Sequence, residues 1–121
     1  MDLTEAELKV MRIVWRTGKT SPKPLIEELA NQEGYNPSTT YTVIYRLIKK
    51  KALERIDPGF ELRPLVSQDE VRDTRIRRLM DDLFDGSADL LFASLVDSGK
   101  LSHEAIERMS RRIDEYEHHH E

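Results

Sequence analysis

Apolar residues recur at helical spacing in three short segments at the start of the chain. In the third segment they stand at i, i+3, i+4, i+7 and i+8, the spacing of one buried helix face. The residues of this stripe are Thr40, Val43, Ile44, Leu47 and Ile48. Asn36 is a favourable N-cap, and Pro37 suits the first helical position, where its missing N–H would have no partner anyway. The pattern predicts three short helices, at about residues 4–16, 22–32 and 37–51.

The period of the pattern changes after Lys51. Two short runs with strand character, Leu53–Ile56 and Phe60–Arg63, flank an Asp-Pro-Gly turn. Three helices followed by a β-hairpin is the order of a winged helix, in which the second and third helices form a helix-turn-helix. We therefore expect a mainly α protein that begins with a winged helix-turn-helix domain of three helices and a β-hairpin wing at 1–66.

From Ser67 onward the chain is helical and acidic. Three helices with apolar stripes are predicted, at about 68–85, at about 88–98 and after Ser102. They have few residues to cover those stripes, so we expect a C-terminal three-helix dimerisation domain at 67–117 and a disordered tail at 118–121. Packing of these helices back onto the N-terminal domain is the alternative. The candidate dimerisation residues are Leu79, Leu83, Leu91, Leu95, Ile106, Met109 and Ile113.

The face of the third helix opposite its apolar stripe carries hydroxyls, phenols and cations. No acidic residue occurs between Asn36 and Lys51, although an ordinary solvated face would include Glu and Asp. Hydroxyl and cationic groups can donate to phosphates and base edges, so we predict a recognition helix for double-stranded DNA. The candidate DNA-binding residues are Ser38, Thr39, Tyr41, Thr42, Tyr45, Arg46, Lys49 and Lys50 on the helix, with Arg55 and Arg63 on the wing. The two wing arginines have an alternative interpretation as solvated residues.

The net charge of −4 is unevenly distributed along the chain. Residues 1–66 hold 11 Lys/Arg against 9 Asp/Glu, whereas residues 67–121 hold 8 against 14. The segment 35–56 has five basic residues and only Glu54 as an acid. Because surface charges are screened beyond roughly 8 Å at physiological salt, this local basic patch matters more for DNA than the net charge does. A generic solvated cluster of Lys and Arg is the alternative.

The composition argues against several other classes of protein. Without cysteine the chain has no disulfide and no thiolate metal site, and no histidine, serine or carboxylate arrangement indicates catalysis, a metal site or a cofactor. The run His118–His120 is interpreted as part of a frayed tail. No apolar run approaches the roughly 18 residues that span a bilayer, and the N-terminus lacks the features of a signal peptide. We expect a cytoplasmic protein without direct membrane binding.

Several motifs resemble the BlaI/MecI group of bacterial winged-helix repressors, also called penicillinase repressors. The opening Leu-Thr-x-x-Glu-x-x-Val-Met-x-x-Val-Trp of 3–15 is similar to the first helix of that family. The segment 37–50, with Thr39, Thr42, Arg46 and the Lys49-Lys50 pair, resembles its recognition helix. Arg63-Pro64-Leu65-Val66-Ser67 is similar to the exit from its wing, and Gly86-Ser87 and Leu101-Ser102-x-Glu104 fall at the spacing of its dimerisation helices.

The resemblance implies a homodimer whose two winged helices bind a palindromic operator and block transcription. It also implies a DNA-contact role for Thr39, Thr42 and Arg46. Ser38, Tyr41 and Tyr45 occupy the same exposed face but differ in type, which implies a different operator sequence. Lys51 stands where a glycine is common, so we expect the helix to run on slightly further.

Regulation by a membrane sensor protease is a further implication of the resemblance. In the antibiotic-resistance members the repressor is cut at an Asn-Phe bond within the dimerisation helices. Ser94-Leu95 is the matching position here and departs from that sequence. The pair is the candidate cleavage site by position, and its different sequence argues against cleavage by the same kind of partner.

One rival function belongs to a different class, a winged-helix module that binds protein and not DNA. Such a module would expose a more acidic or more apolar third helix. The acid-free segment between Asn36 and Lys51 favours the DNA-binding repressor.

Overall fold

The computed structural model describes residues 1–119 as helices joined to one β-hairpin, which confirms the predicted mainly α winged-helix fold. The order of the elements matches the order predicted from the sequence. The elements are α1 Glu5–Thr17, α2 Pro22–Glu33, α3 Pro37–Lys49, β1 Leu53–Ile56, β2 Glu61–Pro64, α4 Gln68–Leu83, α5 Ala88–Asp97 and α6 His103–His119.

Helix α1 begins at a capping box that also reaches into the core. The Thr4 hydroxyl accepts a hydrogen bond from the Glu7 backbone N–H at 3.2 Å, and the Glu7 carboxylate accepts one from the Thr4 N–H at 2.8 Å. The Glu7 side chain is fully buried. A residue that the sequence identifies as a helix cap therefore also places a carboxylate inside the domain.

Helix α3 begins at Asn36, whose side-chain oxygen accepts a hydrogen bond from the Thr39 backbone N–H at 2.8 Å. The helix ends at Lys49, so the expectation that it runs on past Lys51 is wrong. Lys51 adopts a φ of +65°, a left-handed conformation that favours glycine. The Lys51 and Ala52 N–H groups close the helix on the carbonyls of Ile48 and Leu47, the pattern of a Schellman motif. Lys51 thus adopts a conformation that glycine adopts more readily than lysine.

The wing is an antiparallel hairpin with Leu53 opposite Pro64 and Ile56 opposite Glu61. Phe60, predicted to lie in the second strand, precedes it and has a φ of +53°. A bridge between Thr20 and Leu62 adds the α1–α2 connection to the edge of the hairpin, with hydrogen bonds of 3.0 and 2.7 Å. The wing is therefore fastened to the helices by backbone pairing that the sequence did not predict.

The core of the first unit lies between the three helices and the base of the wing. Its fully buried side chains come from α1, α2, α3 and both strands, and include Met11, Val14, Leu25, Leu29, Ile44, Leu47, Leu53 and Leu62. Four of the five residues predicted for the α3 stripe are buried, and Ile48 is half-buried. The Trp15 indole packs against this core and donates from Nε1 to the Val66 carbonyl at 2.9 Å. Because one face of α3 is buried in this core, the opposite face is exposed.

The first compact unit spans Met1–Ile76, ten residues beyond the boundary expected at 66. Two contacts in the early turns of α4 explain the extension. Val71 is buried with the core, and Arg75 Nη2 donates to the Leu3 carbonyl at 2.7 Å. The first turns of α4 therefore belong to the winged-helix unit.

The second unit starts at Arg77 and contains the end of α4 together with α5 and α6. Ser87 and Ser102 cap the starts of α5 and α6 by accepting hydrogen bonds from the Leu90 and Ala105 N–H groups. Helix α6 includes His118 and His119, which we expected in the tail, and the rest of that tail lies outside the described residues. None of the described helices is long and apolar enough to cross a membrane.

Candidate nucleic-acid interface

Seven of the ten predicted DNA-binding residues lie on the exposed side of α3. They are Ser38, Thr39, Tyr41, Thr42, Tyr45, Arg46 and Lys49. Helical geometry places Ser38, Thr42, Tyr45 and Lys49 directly opposite the buried stripe. Arg46 lies to one side of these four residues and Tyr41 to the other.

The two threonine hydroxyls on this face already donate within the helix. Thr39 Oγ1 lies 3.0 Å from Asn36 Oδ1, and Thr42 Oγ1 lies 2.9 Å from the Ser38 carbonyl oxygen. Because each hydroxyl has a single hydrogen, both retain only acceptor capacity and a methyl group for an outside partner. These two residues are suited to accept from a base amino group or to contact a thymine methyl.

Arg46 and Lys49 are the two cations on the described exposed face of α3. Both side chains are exposed, and neither forms an ion pair with a carboxylate among residues 1–119. Helix α3 contains no acidic residue that could neutralise them. Their full charge is available to a phosphate.

Lys50, predicted to bind phosphate, has a partner inside the domain. Its Nζ lies 2.7 Å from the buried Oε1 of Glu7 and 3.2 Å from the Asp2 carbonyl oxygen. Burial by itself would raise the pKa of Glu7, but the hydrogen bonds from the Lys50 ammonium and from Thr4 lower it below its ordinary value. Lys50 therefore neutralises a buried carboxylate, whereas its neighbour Lys49 points outward.

Three aromatic rings join α3 to the tip of the wing. The Tyr41 and Tyr45 rings stack with centroids 6.3 Å apart, and the Phe60 ring lies 6.4 Å from the first and 6.0 Å from the second. Tyr41 and Tyr45 are 37% and 50% exposed, so each keeps part of its ring available to a partner. Sequence reasoning missed Phe60, although a large aromatic residue directly after a Pro-Gly turn was a signal that it packs outside the strand.

Both wing arginines are paired with carboxylates of the wing itself. Arg55 Nε donates to Asp57 at 3.1 Å, and Arg63 Nε donates to Glu61 at 2.8 Å. The Arg55 guanidinium also lies over the Phe60 ring, with Cζ 3.5 Å from the centroid. Each wing arginine therefore has a carboxylate beside it, in contrast to Arg46 and Lys49.

The predicted dimerisation residues lie in α4, α5 and α6, and none of them is buried. Leu83 is 73% exposed, and Leu79, Leu95, Ile106 and Ile113 are each between 40% and 49% exposed. Leu91 and Met109 are half-buried. Ser94 and Leu95, the candidate cleavage site, are exposed on α5.

Comparison with known proteins connects the two units to one family. A family model described as "Penicillinase repressor" matches residues 3–115. The penicillinase repressor of Bacillus licheniformis is 24% identical over 94% of this chain and 91% of its own length. The methicillin resistance regulatory protein MecI of Staphylococcus aureus is 27% identical over 89% of each chain.

A solved structure is similar to the first part of the chain. It is the solution structure of the monomeric form of Bacillus licheniformis BlaI in complex with the blaP half-operator. The two chains are 30% identical with a TM-score of 0.52, over 58% of this chain and 93% of that one.

Proposed function

Because the chain belongs to the penicillinase repressor family, a family of DNA-binding transcriptional regulators and not of enzymes, we propose that it is a cytoplasmic, homodimeric repressor of a palindromic operator. Helix α3 enters the major groove with its N-terminal turns toward the base edges. The observation that carries the proposal is the face of α3, which exposes hydroxyls, ring edges and two unneutralised cations without a carboxylate.

The exposed residues of α3 divide into two roles. Arg46 and Lys49 hold phosphates and supply salt-dependent affinity for any sequence. Thr39, Tyr41 and Thr42 read base edges, and Ser38 and Tyr45 extend that surface. The similar BlaI structure is bound to a half-operator, which supports this use of the winged-helix unit. Lys50 stabilises the winged-helix unit and does not contact DNA, because its ammonium neutralises Glu7.

A homodimer formed through the second unit completes the proposal. In the described part of α5 and α6 no side chain is buried, although both helices carry apolar stripes. An apolar groove of about 340 Å³ lies between Phe92 of α5 and Met109, Ile113 and Tyr116 of α6. Exposed apolar surface of this extent is typical of an interface, and pairing of two copies would place two recognition helices on one operator.

Release of the operator by an upstream signal is the regulatory part of the proposal. A membrane sensor protease that cut between Ser94 and Leu95 would divide α5 and weaken the dimer. Both residues are exposed, which is compatible with access by a protease. Their difference from the Asn-Phe bond of the antibiotic-resistance members favours a protease of different specificity.

A protein-binding winged helix is the second candidate function. Its partner surface would again be α3, but Arg46 and Lys49 would then need acidic partners supplied by another protein. The family match favours the repressor.

Selection of binding sites from randomised duplexes tests the proposal. The expected product is a family of sequences with two-fold symmetry and half-sites spaced by about 10 base pairs or a multiple of that distance. Arg46→Ala should weaken binding to all of them, whereas changes at Tyr41 or Thr42 should shift the preferred bases. Enrichment of no sequence, together with no binding to duplex at low salt, would refute the repressor function.

A further inference from the structure

The aromatic cluster of Tyr41, Tyr45 and Phe60 has a role that the predicted base and phosphate contacts do not explain. Its three rings link the exposed face of α3 to the tip of the wing, with all three centroid distances between 6.0 and 6.4 Å. Edge-tilted and offset rings at this separation attract one another. The cluster thus fixes the wing tip against the surface that would face DNA.

Phe60 has a backbone conformation that is unfavourable for a residue with a bulky side chain. Its φ of +53° is the left-handed region, which bulky residues rarely adopt. Backbone strain of this kind persists where the surrounding contacts require it, and it concentrates at functional positions. In this conformation the Phe60 ring contacts Tyr41 and Tyr45 and also packs against the core of the first unit.

A cation also lies against the Phe60 ring. The Arg55 guanidinium stacks over the ring, with Cζ 3.5 Å from the centroid, and its Nε is held by Asp57. Stacking and the Nε hydrogen bond together leave the two terminal amino groups of the guanidinium for an outside acceptor. An arginine ordered in this way is suited to contact a phosphate, because its fork geometry is already fixed.

We propose that Phe60 is a positioning residue for DNA binding. Its ring packs on the tyrosines of α3 and holds Arg55 of the wing at a phosphate beside the groove that α3 enters. The proposal rests on the proposed function and adds to it a residue that need not touch DNA. Tyr45 then has two roles, because its ring supports the wing while its exposed edge faces the groove.

A set of full-length variants tests the proposal. Phe60→Leu keeps an apolar side chain but removes the ring, Phe60→Tyr keeps the ring, and Arg55→Gln removes the cation. Leu65→Ala changes an exposed apolar residue that follows the second strand, and it serves as the control. The readout is the slope of log K against log salt for binding to a duplex of mixed sequence, which becomes shallower by about 0.9 for each phosphate that the protein no longer neutralises.

For Arg55→Gln we expect a slope that is shallower by about 0.9, the contribution of one phosphate. For Phe60→Leu we expect a change of similar size. Phe60→Tyr and Leu65→Ala should retain the wild-type slope. The double variant Phe60→Leu with Arg55→Gln should have the slope of Arg55→Gln alone, since both changes act on the same phosphate. Phe60→Met provides the same comparison where circular dichroism shows that the leucine variant has unfolded.

Two results would overturn the proposal. One is a wild-type slope in folded Phe60→Leu, and the other is an additive change of slope in the double variant. A wild-type protein that does not bind duplex at low salt would instead refute the proposed function, so the two failures are distinguishable.

Discussion

The ammonium of Lys50 lies 2.7 Å from the Oε1 atom of Glu7, and the Glu7 side chain has no exposed surface. The pair joins the first turn of α1 to the residue that caps α3. The two adjacent lysines at the end of α3 thus have different environments, because Lys49 is exposed whereas Lys50 is half-buried beside Glu7.

We predict that alanine at Lys50 affects stability, whereas alanine at Lys49 affects DNA binding. Lys50→Ala leaves a buried carboxylate without its cation and should lower the free energy of unfolding. We expect about 2 kcal/mol, less than the roughly 3–5 kcal/mol for a fully buried pair, because the Lys50 side chain is 35% exposed. Lys49→Ala should leave stability unchanged and weaken DNA binding. Urea unfolding and duplex titration of both variants separate the two roles, and equal stability of the two would contradict the assignment of Lys50.

Acid should destabilise the protein through Glu7. Its pKa in the folded state lies below the ordinary 4.5, so its stabilising contribution is complete above that pH and is lost as pH falls through the folded pKa. The carboxylate of Glu28, held by a hydrogen bond from Arg16, has a lowered pKa for a similar reason. Thermal unfolding from about pH 7 to about pH 3 should show Glu7→Gln less stable than wild type at neutral pH and closer to it in acid.

The surface substitution Glu104→Gln is the control for that series, because Glu104 is exposed on α6. It should follow the wild-type curve throughout. A constant difference between wild type and Glu7→Gln at every pH would show that Glu7 acts by packing and not by its charge.

Lys51→Gly should stabilise the protein. The lysine has a φ of +65°, and a left-handed conformation costs a residue with a side chain roughly 1–2 kcal/mol relative to glycine. The flexibility of glycine in the unfolded chain offsets part of this, so we expect a gain of about 1 kcal/mol. Lys51→Ala removes the same charge without relieving the strain, and differential scanning calorimetry should show a higher midpoint only for glycine. Equal midpoints for the two variants would mean that the backbone at 51 is not strained.

Ile113→Glu should convert a dimer to a monomer. The side chain lines the apolar groove of the second unit and is 49% exposed in the single chain. Burial of an unpaired carboxylate in a dimer interface costs far more than its exposure in a monomer. Sedimentation equilibrium over a range of concentrations measures the change, with Arg111→Glu on the other side of α6 as the control. A wild-type chain that sediments as a monomer would contradict the dimer.

Local features of this fold could be predicted from the sequence, and contacts between distant segments could not. The capping box of Thr4 and Glu7, the N-cap Asn36 and the buried α3 stripe follow from spacing within one helix. The partner of Lys50 is 43 residues away, so no local pattern indicates it. The Thr20–Leu62 bridge was missed for the same reason.

The candidate site shows the same division. Exposure of the α3 face follows from the period of the helix, whereas the contact of Phe60 with Tyr41 and Tyr45 depends on how the wing packs. Phe60 was expected in the second strand, but it precedes that strand and has a left-handed backbone. Neither residue propensity nor periodicity predicts such a conformation for phenylalanine.

The most direct test of DNA binding through α3 is a fluorescence anisotropy titration of labelled mixed-sequence duplex with wild-type protein and Arg46→Ala across a salt series. We predict binding at low salt that weakens steeply as salt rises, and a slope for Arg46→Ala that is smaller by about 0.9, the share of one phosphate. Absence of binding at low salt, or an unchanged slope in Arg46→Ala, would contradict DNA binding through this helix.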